Sequence, residues 1–142
     1  MKNKVLKKIA AVGAALMIAC SMVFCVSADE VTYTDDSGQY KMSAICENNG
    51  NYKHAVTKTY NYTGVSKRVG ARVKQRASLL GSDLTDTYNT GIISNNLSYS
   101  VGNNCLKSNN PWYSIHYSEW YNSQAYESGL AFTHTISRHV VY

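Results

Sequence analysis

Proline is nearly missing from this chain: 142 residues contain one, Pro111. A proline-rich spacer is therefore excluded. No long charged run follows the first ten residues, and phenylalanine occurs twice. Histidine is scarce as well, with His54, His116, His134 and His139. His134 and His139 stand five apart, so on a strand they point to opposite faces and make no ready metal pair. Asp35-Asp36 and Asp83/Asp86 lie in turn-like stretches, and nothing marks them as an acid and base pair. No stretch reads as a catalytic signature. Neither an enzyme nor a cofactor is expected, although a folded Cys–His nucleophile is not excluded by sequence.

What is present at the start is a secretory pattern. Lys2, Lys4, Lys7 and Lys8 precede an apolar run over 9–26, and Val26-Ser27-Ala28 fits the small-x-small rule before a cut. This predicts a bacterial-style leader over 1–28, cleavage after Ala28, and a secreted single domain over 29–142. A retained anchor is the competing reading. A lipoprotein signal at Cys20 is another, and the apolar residues beyond Cys20 argue against it.

Losing the leader changes the charge. Ten Lys and Arg then face nine Asp and Glu, a net charge of +1. The basic character of the whole chain belongs mostly to the leader, so no nucleic-acid partner is expected. Cysteine falls from four to two, Cys46 and Cys105. Export favours a disulfide between them, closing a loop of about 60 residues for about 4 kcal/mol. Two separate buried thiols are the alternative.

The mature stretch is rich in tyrosine, with all 12 of the chain's, and in asparagine. It also alternates. Tyr40, Met42, Ala44 and Cys46 share one parity, as do Tyr52, His54, Val56, Tyr60 and Tyr62. Each set reads as the inward face of a strand. A three-residue loop, Asn48-Asn49-Gly50, keeps the two sets on one side by pairing Cys46 with Tyr52. Next, Val69, Ala71 and Val73 point one way and Arg68, Arg72, Lys74 and Arg76 the other. This basic ridge suits a solvated face or a contact for an anionic polymer or envelope surface. Over 79–110 the pattern loosens into turn clusters between short strands. Leu130, Phe132, His134 and Ile136 then begin a long terminal strand. The fold class expected is all-β: a small antiparallel β-sandwich or barrel-like domain.

The stretch "PWYSIHYSEWY", 111–121, suits a helix or a strand by period alone. Its residues are poor helix formers and good strand formers, so strand is preferred. Ile115 and the tyrosines then make the better inward face, and Trp112, His116 and Trp120 look outward. Trp112 and Trp120 would stand about 26 Å apart, which asks for an extended polymer or a protein surface as partner. The resulting expectation is a small secreted or surface-associated, non-catalytic module for a glycan, cell-wall polymer or protein. The alternative is a bacteriocin-like toxin acting on the envelope of competing cells.

Overall fold

The computed structural model of the chain describes residues 23–26, 29–125 and 127–141. Nine strands among them are β1 (Val23–Val26), β2 (Asp29–Thr34), β3 (Tyr40–Asn49), β4 (Tyr52–Asn61), β5 (Lys67–Arg76), β6 (Asp83–Ile93), β7 (Leu97–Leu106), β8 (Tyr113–Tyr121) and β9 (Leu130–Val141). They form a β-sandwich. One sheet has the order β1-β9-β8-β5-β6, the other β2-β3-β4-β7. All pairings are antiparallel except β1 with β9. Of the leader segment 1–28, only β1 falls within the described residues.

The β3–β4 hairpin corrects the expected register. Asn49 pairs with Tyr52 and Cys46 with Ala55, across a two-residue Gly50-Asn51 turn. Gly50 has φ 56°, as the first central residue of a type II′ hairpin turn requires. The partner of Cys46 moves by three residues, and any odd shift turns every side chain over. The inward set of β4 is therefore Lys53, Ala55, Thr57, Thr59 and Asn61, all buried, while His54, Val56 and Tyr60 lie on the outer side. The same reversal occurs in β8. Ser114, His116, Ser118 and Trp120 are each 0% exposed, and Tyr113, Ile115, Tyr117, Glu119 and Tyr121 lie on the outer face.

Both reversals have one cause: the layer between the sheets is joined by hydrogen bonds as much as by apolar contact. Thr57 Oγ1 donates to the Arg72 carbonyl (2.8 Å) and Thr59 Oγ1 to that of Gly70 (3.0 Å). Asn61 Nδ2 reaches the carbonyls of Val65 and Ile93, and Asn103 Nδ2 that of Val73. Gln75 Nε2 donates to Lys53 O and to Asn103 Oδ1. Short hydroxyl and amide side chains satisfy these buried carbonyls, and a tyrosine could not fit there. The apolar part of the core is Met42, Ala44, Val69, Ile93, Trp120 and Ile136, continued by Cys46, Ala55, Ala71, Val73 and Val101.

The flank between β2 and β9 is closed by rings. Tyr33 stacks on His134 at 3.5 Å between centroids and 8° between planes. Tyr40 stacks on Phe132 (4.9 Å), and Trp120 packs against both. The opposite flank is closed by Tyr99, whose ring covers Gly91 so closely that a Cβ there would lie 2.6 Å from it. The region expected to hold short strands instead forms the long β6 and β7, which belong to different sheets and are joined across the flank by 94–96.

The expected Cys46–Cys105 disulfide is also corrected. Both residues are buried and they are not bonded to each other. Cys46 lies on β3 and Cys105 on β7, with β4 between them. Cys46 lies opposite Ala55 and Cys105 opposite Lys53, so two strand spacings and a two-residue offset separate them by about 12 Å, beyond the ~7 Å that a disulfide spans between Cα atoms.

Candidate functional site

The outer face of the five-stranded sheet holds the candidate site, in rows that cross β6, β5, β8 and β9. Tyr88, Arg72, Tyr117 and Thr135 form one row; Asp86, Lys74, Ile115 and Ser137 the next; Thr90, Gly70, Glu119 and Thr133 a third. Alternation on β5 produces this face. Val69, Ala71, Val73 and Gln75 point inward, which leaves Arg68, Arg72, Lys74 and Arg76 outside.

A groove of about 390 Å³ runs over Arg72, Lys74, Arg76, Ile115, Tyr117, Glu119 and Thr135. A second, of about 230 Å³, is lined by Arg68, Tyr88, Asn89, Thr90 and Tyr121. Between them lies the Glu119 carboxylate. Its Oε2 accepts from the hydroxyls of Tyr88 and Tyr121, both at 2.8 Å. Glycine at position 70 makes this possible, because a Cβ there would meet Glu119 Oε2 at 2.6 Å. Burial first, and then the hydrogen bonds with Tyr121 and Glu119, raise the Tyr88 pKa. Burial leads the upward shifts at Tyr117 and Tyr121 too. The phenols therefore stay protonated and remain donors.

Three of the four cations of the basic ridge are paired with two carboxylates. Arg72 binds Asp86 through two nitrogens, Nε at 2.8 Å and Nη2 at 2.5 Å. Lys74 Nζ lies 2.6 Å from Asp83 and 3.6 Å from Asp86, and Arg76 Nε also binds Asp83. The hydrogen bond from Lys74 leads the lowering of the Asp83 pKa, and that from Arg72 leads it at Asp86. β6 places Asp83 and Asp86, which the sequence pattern put in turn-like stretches, beside Arg72, Lys74 and Arg76.

The other expected binding residues are not gathered on this face. Trp120 is buried between the sheets, its Nε1 donating to Tyr60 O at 2.7 Å. His116 is buried as well. Trp112 precedes β8 and is 39% exposed, with its ring stacked on His139. The expectation of an outward face is therefore overturned for His116 and Trp120, because Ser114 and Ser118 let β8 approach the facing sheet and Trp120 fills the space beside them; Trp112 is exposed, as expected. The residues that line the grooves, Tyr117, Glu119 and Tyr121, are those the parity argument had turned inward. Their polar ends were the available signal: phenols and a carboxylate prefer a wet face.

A second constellation lies inside. Cys46 Sγ is 3.0 Å from Ser114 Oγ and 3.7 Å from His116 Nε2, and Ser114 Oγ is 2.9 Å from the same nitrogen. His116 Nδ1 is 3.0 Å from Thr57 Oγ1. Thr57 gives its one hydrogen to Arg72 O, so it accepts from Nδ1–H, and Nε2 is left as an acceptor for Ser114. Burial pushes the His116 pKa down to about 3. The thiol, hydroxyl and imidazole thus stand in a compact hydrogen-bonded triangle, but Cys46 is 4% exposed and His116 and Ser114 are 0%. No substrate reaches them in this conformation. Among the described residues, no three His, Cys, Asp or Glu side chains are grouped to hold a metal ion.

No family model matches the chain, and no curated protein or solved structure is significantly similar to it. The functional reading therefore rests on the geometry of this face.

Proposed function

We propose that the protein is a secreted, non-catalytic binding module that holds a saccharide polymer along the outer face of its five-stranded sheet. The observation that supports this most is the pair of grooves flanking the Glu119 clamp. From Arg76 to Arg68 the face runs about 26 Å along β5. It presents phenol edges, a carboxylate, guanidinium groups and hydroxyls in one shallow surface. Sugars need flat apolar contact together with planar polar groups. The pairing of Arg72, Lys74 and Arg76 with Asp83 and Asp86 favours a neutral polymer over an anionic one, which would have to displace those carboxylates.

Isothermal titration with neutral cell-wall oligosaccharides, and with an anionic polymer such as polyglutamate, tests this reading. Tyr117→Ala should weaken neutral-glycan binding by tenfold or more, about 1.4 kcal/mol, without lowering the melting temperature. Binding of the anionic polymer alone would overturn it.

A further inference from the structure

Among the described residues the edge strands are β1 and β6 in one sheet and β2 and β7 in the other, with β9 next to the short β1. β6 carries Asp83 and Asp86, and β2 carries Glu30. Outward charges of this kind deter pairing with other chains. β7 is tied across its flank: Tyr99 Oη donates to Thr90 O, and Asn103 reaches Val73 O. Inside its sheet β9 has β8 on one side; on the other, among the described residues, β1 covers its last four positions, from Val23↔Arg138 to Val26↔Val141. β9 is also the longest of the described strands, at 12 residues, and it holds no carboxylate. Its one Lys or Arg, Arg138, points inward and donates to Ala44 O. β1 itself demonstrates that this edge accepts a strand. It also falls inside the segment that the leader pattern assigns to removal.

We infer that a chain without β1 pairs its β9 with the β9 of a second copy, antiparallel about a two-fold axis at Thr135. A two-fold contact is self-complementary, so one patch must match itself. This register does so. Thr135 meets Thr135 of the second copy, Thr133 meets Ser137, and His134 meets Ile136. Hydroxyl residues thus oppose hydroxyl residues on the outer face, a favourable cross-strand pairing. Arg138 falls opposite Phe132, which keeps the two arginines about 20 Å apart. The full register uses positions 138 to 140, so β1 and the second copy compete for one edge. Thr135 also lines the larger groove, so the pairing joins two outer faces into one. The inference rests on the backbone edge and not on the saccharide reading.

Light scattering after size exclusion tests it on three proteins: the full chain, the chain recovered from culture medium, and the full chain carrying Cys25→Pro, which removes an N–H from β1. Intact mass establishes whether the recovered chain has lost 1–28. The full chain should be a monomer and the Cys25→Pro chain a dimer, as should a recovered chain that lacks the leader. Thr135→Lys in the Cys25→Pro background sets two lysines opposite one another. It should weaken the dimer about fivefold at low salt, and mixing with the Thr135→Glu counterpart should restore it. A folded, monomeric recovered chain that intact mass shows to lack 1–28 would overturn the inference. So would a dimer indifferent to Thr135→Lys.

Discussion

His116 should make the fold acid-labile in a way that one substitution removes. Its imidazole is fully enclosed, with Ser114 on one nitrogen and Thr57 on the other, and burial holds its pKa at about 3. In the unfolded chain the value returns to about 6.5. Above about pH 6.5 the ring is neutral in both states and the fold keeps its full stability. As pH falls below that, the unfolded chain takes a proton that the folded chain refuses, and stability is lost until about pH 3. At 1.36 kcal/mol per pKa unit the whole loss is about 5 kcal/mol, of which about 2 kcal/mol falls between about pH 7 and pH 5. For a domain with 5–15 kcal/mol in hand, that is a large share. Urea melts at several pH values measure it. Asp35, Asp83 and Asp86, whose pKa values are lowered, also lose stability in acid, and His134 adds to the slope in the same direction as His116. The informative quantity is thus the difference in slope between the natural chain and His116→Gln, which retains hydrogen-bonding groups but does not titrate. Equal slopes would refute the argument, whatever the absolute stabilities.

Trp120→Ala should cost about 3–5 kcal/mol in a chemical melt, because the ring is fully buried among Tyr40, Phe132 and Met42 and its hydrogen bond to Tyr60 O is lost; a cost below about 1 kcal/mol would place the ring outside the core. Gly70→Ala should fold, since only the end of the Glu119 side chain must move, but it should abolish glycan binding and lower the pKa of Tyr88 in an ultraviolet titration. Peptide mapping without reductant should find no Cys46–Cys105 linked pair; recovering one would show that β3, β4 and β7 are ordered differently. Asp86→Asn should change stability by only about 0.2–1 kcal/mol, because the Arg72 pair is largely solvated, and the difference should shrink in salt.

The strand character of the chain was legible because alternation survives even where the inward face is polar. β5 was read correctly in both faces, since valine and alanine opposed arginine and lysine without ambiguity. β4 and β8 were read with the right element and the wrong face. In each, the rule that the more apolar set turns inward set tyrosine against threonine and serine. The interior took the small hydroxyls, which reach the carbonyls of the facing sheet. Gly50 was recognised as a turn residue, but its place as first of two central residues depended on which register the sheets could close. Asn103 looked like punctuation and bridges the layers from within a strand. The basic ridge was visible, while its partners Asp83 and Asp86 come from a strand whose pairing with β5 no local pattern announces.

The hydrogen-bonded layer between the sheets also shapes how the protein meets temperature. Unfolding a hydrocarbon core raises heat capacity strongly, and exposing amides and hydroxyls lowers it. Exposure of Thr57, Thr59, Asn61, Gln75, Ser114 and Ser118 together with Trp120 and Met42 sets these contributions against each other. The curve of stability against temperature is then flatter than for an oily sandwich of the same length. Such a domain loses less on cooling and holds a broader working range. Because its inner contacts depend on aligned donors and carbonyls, a sideways slip of one layer would break several of them at once.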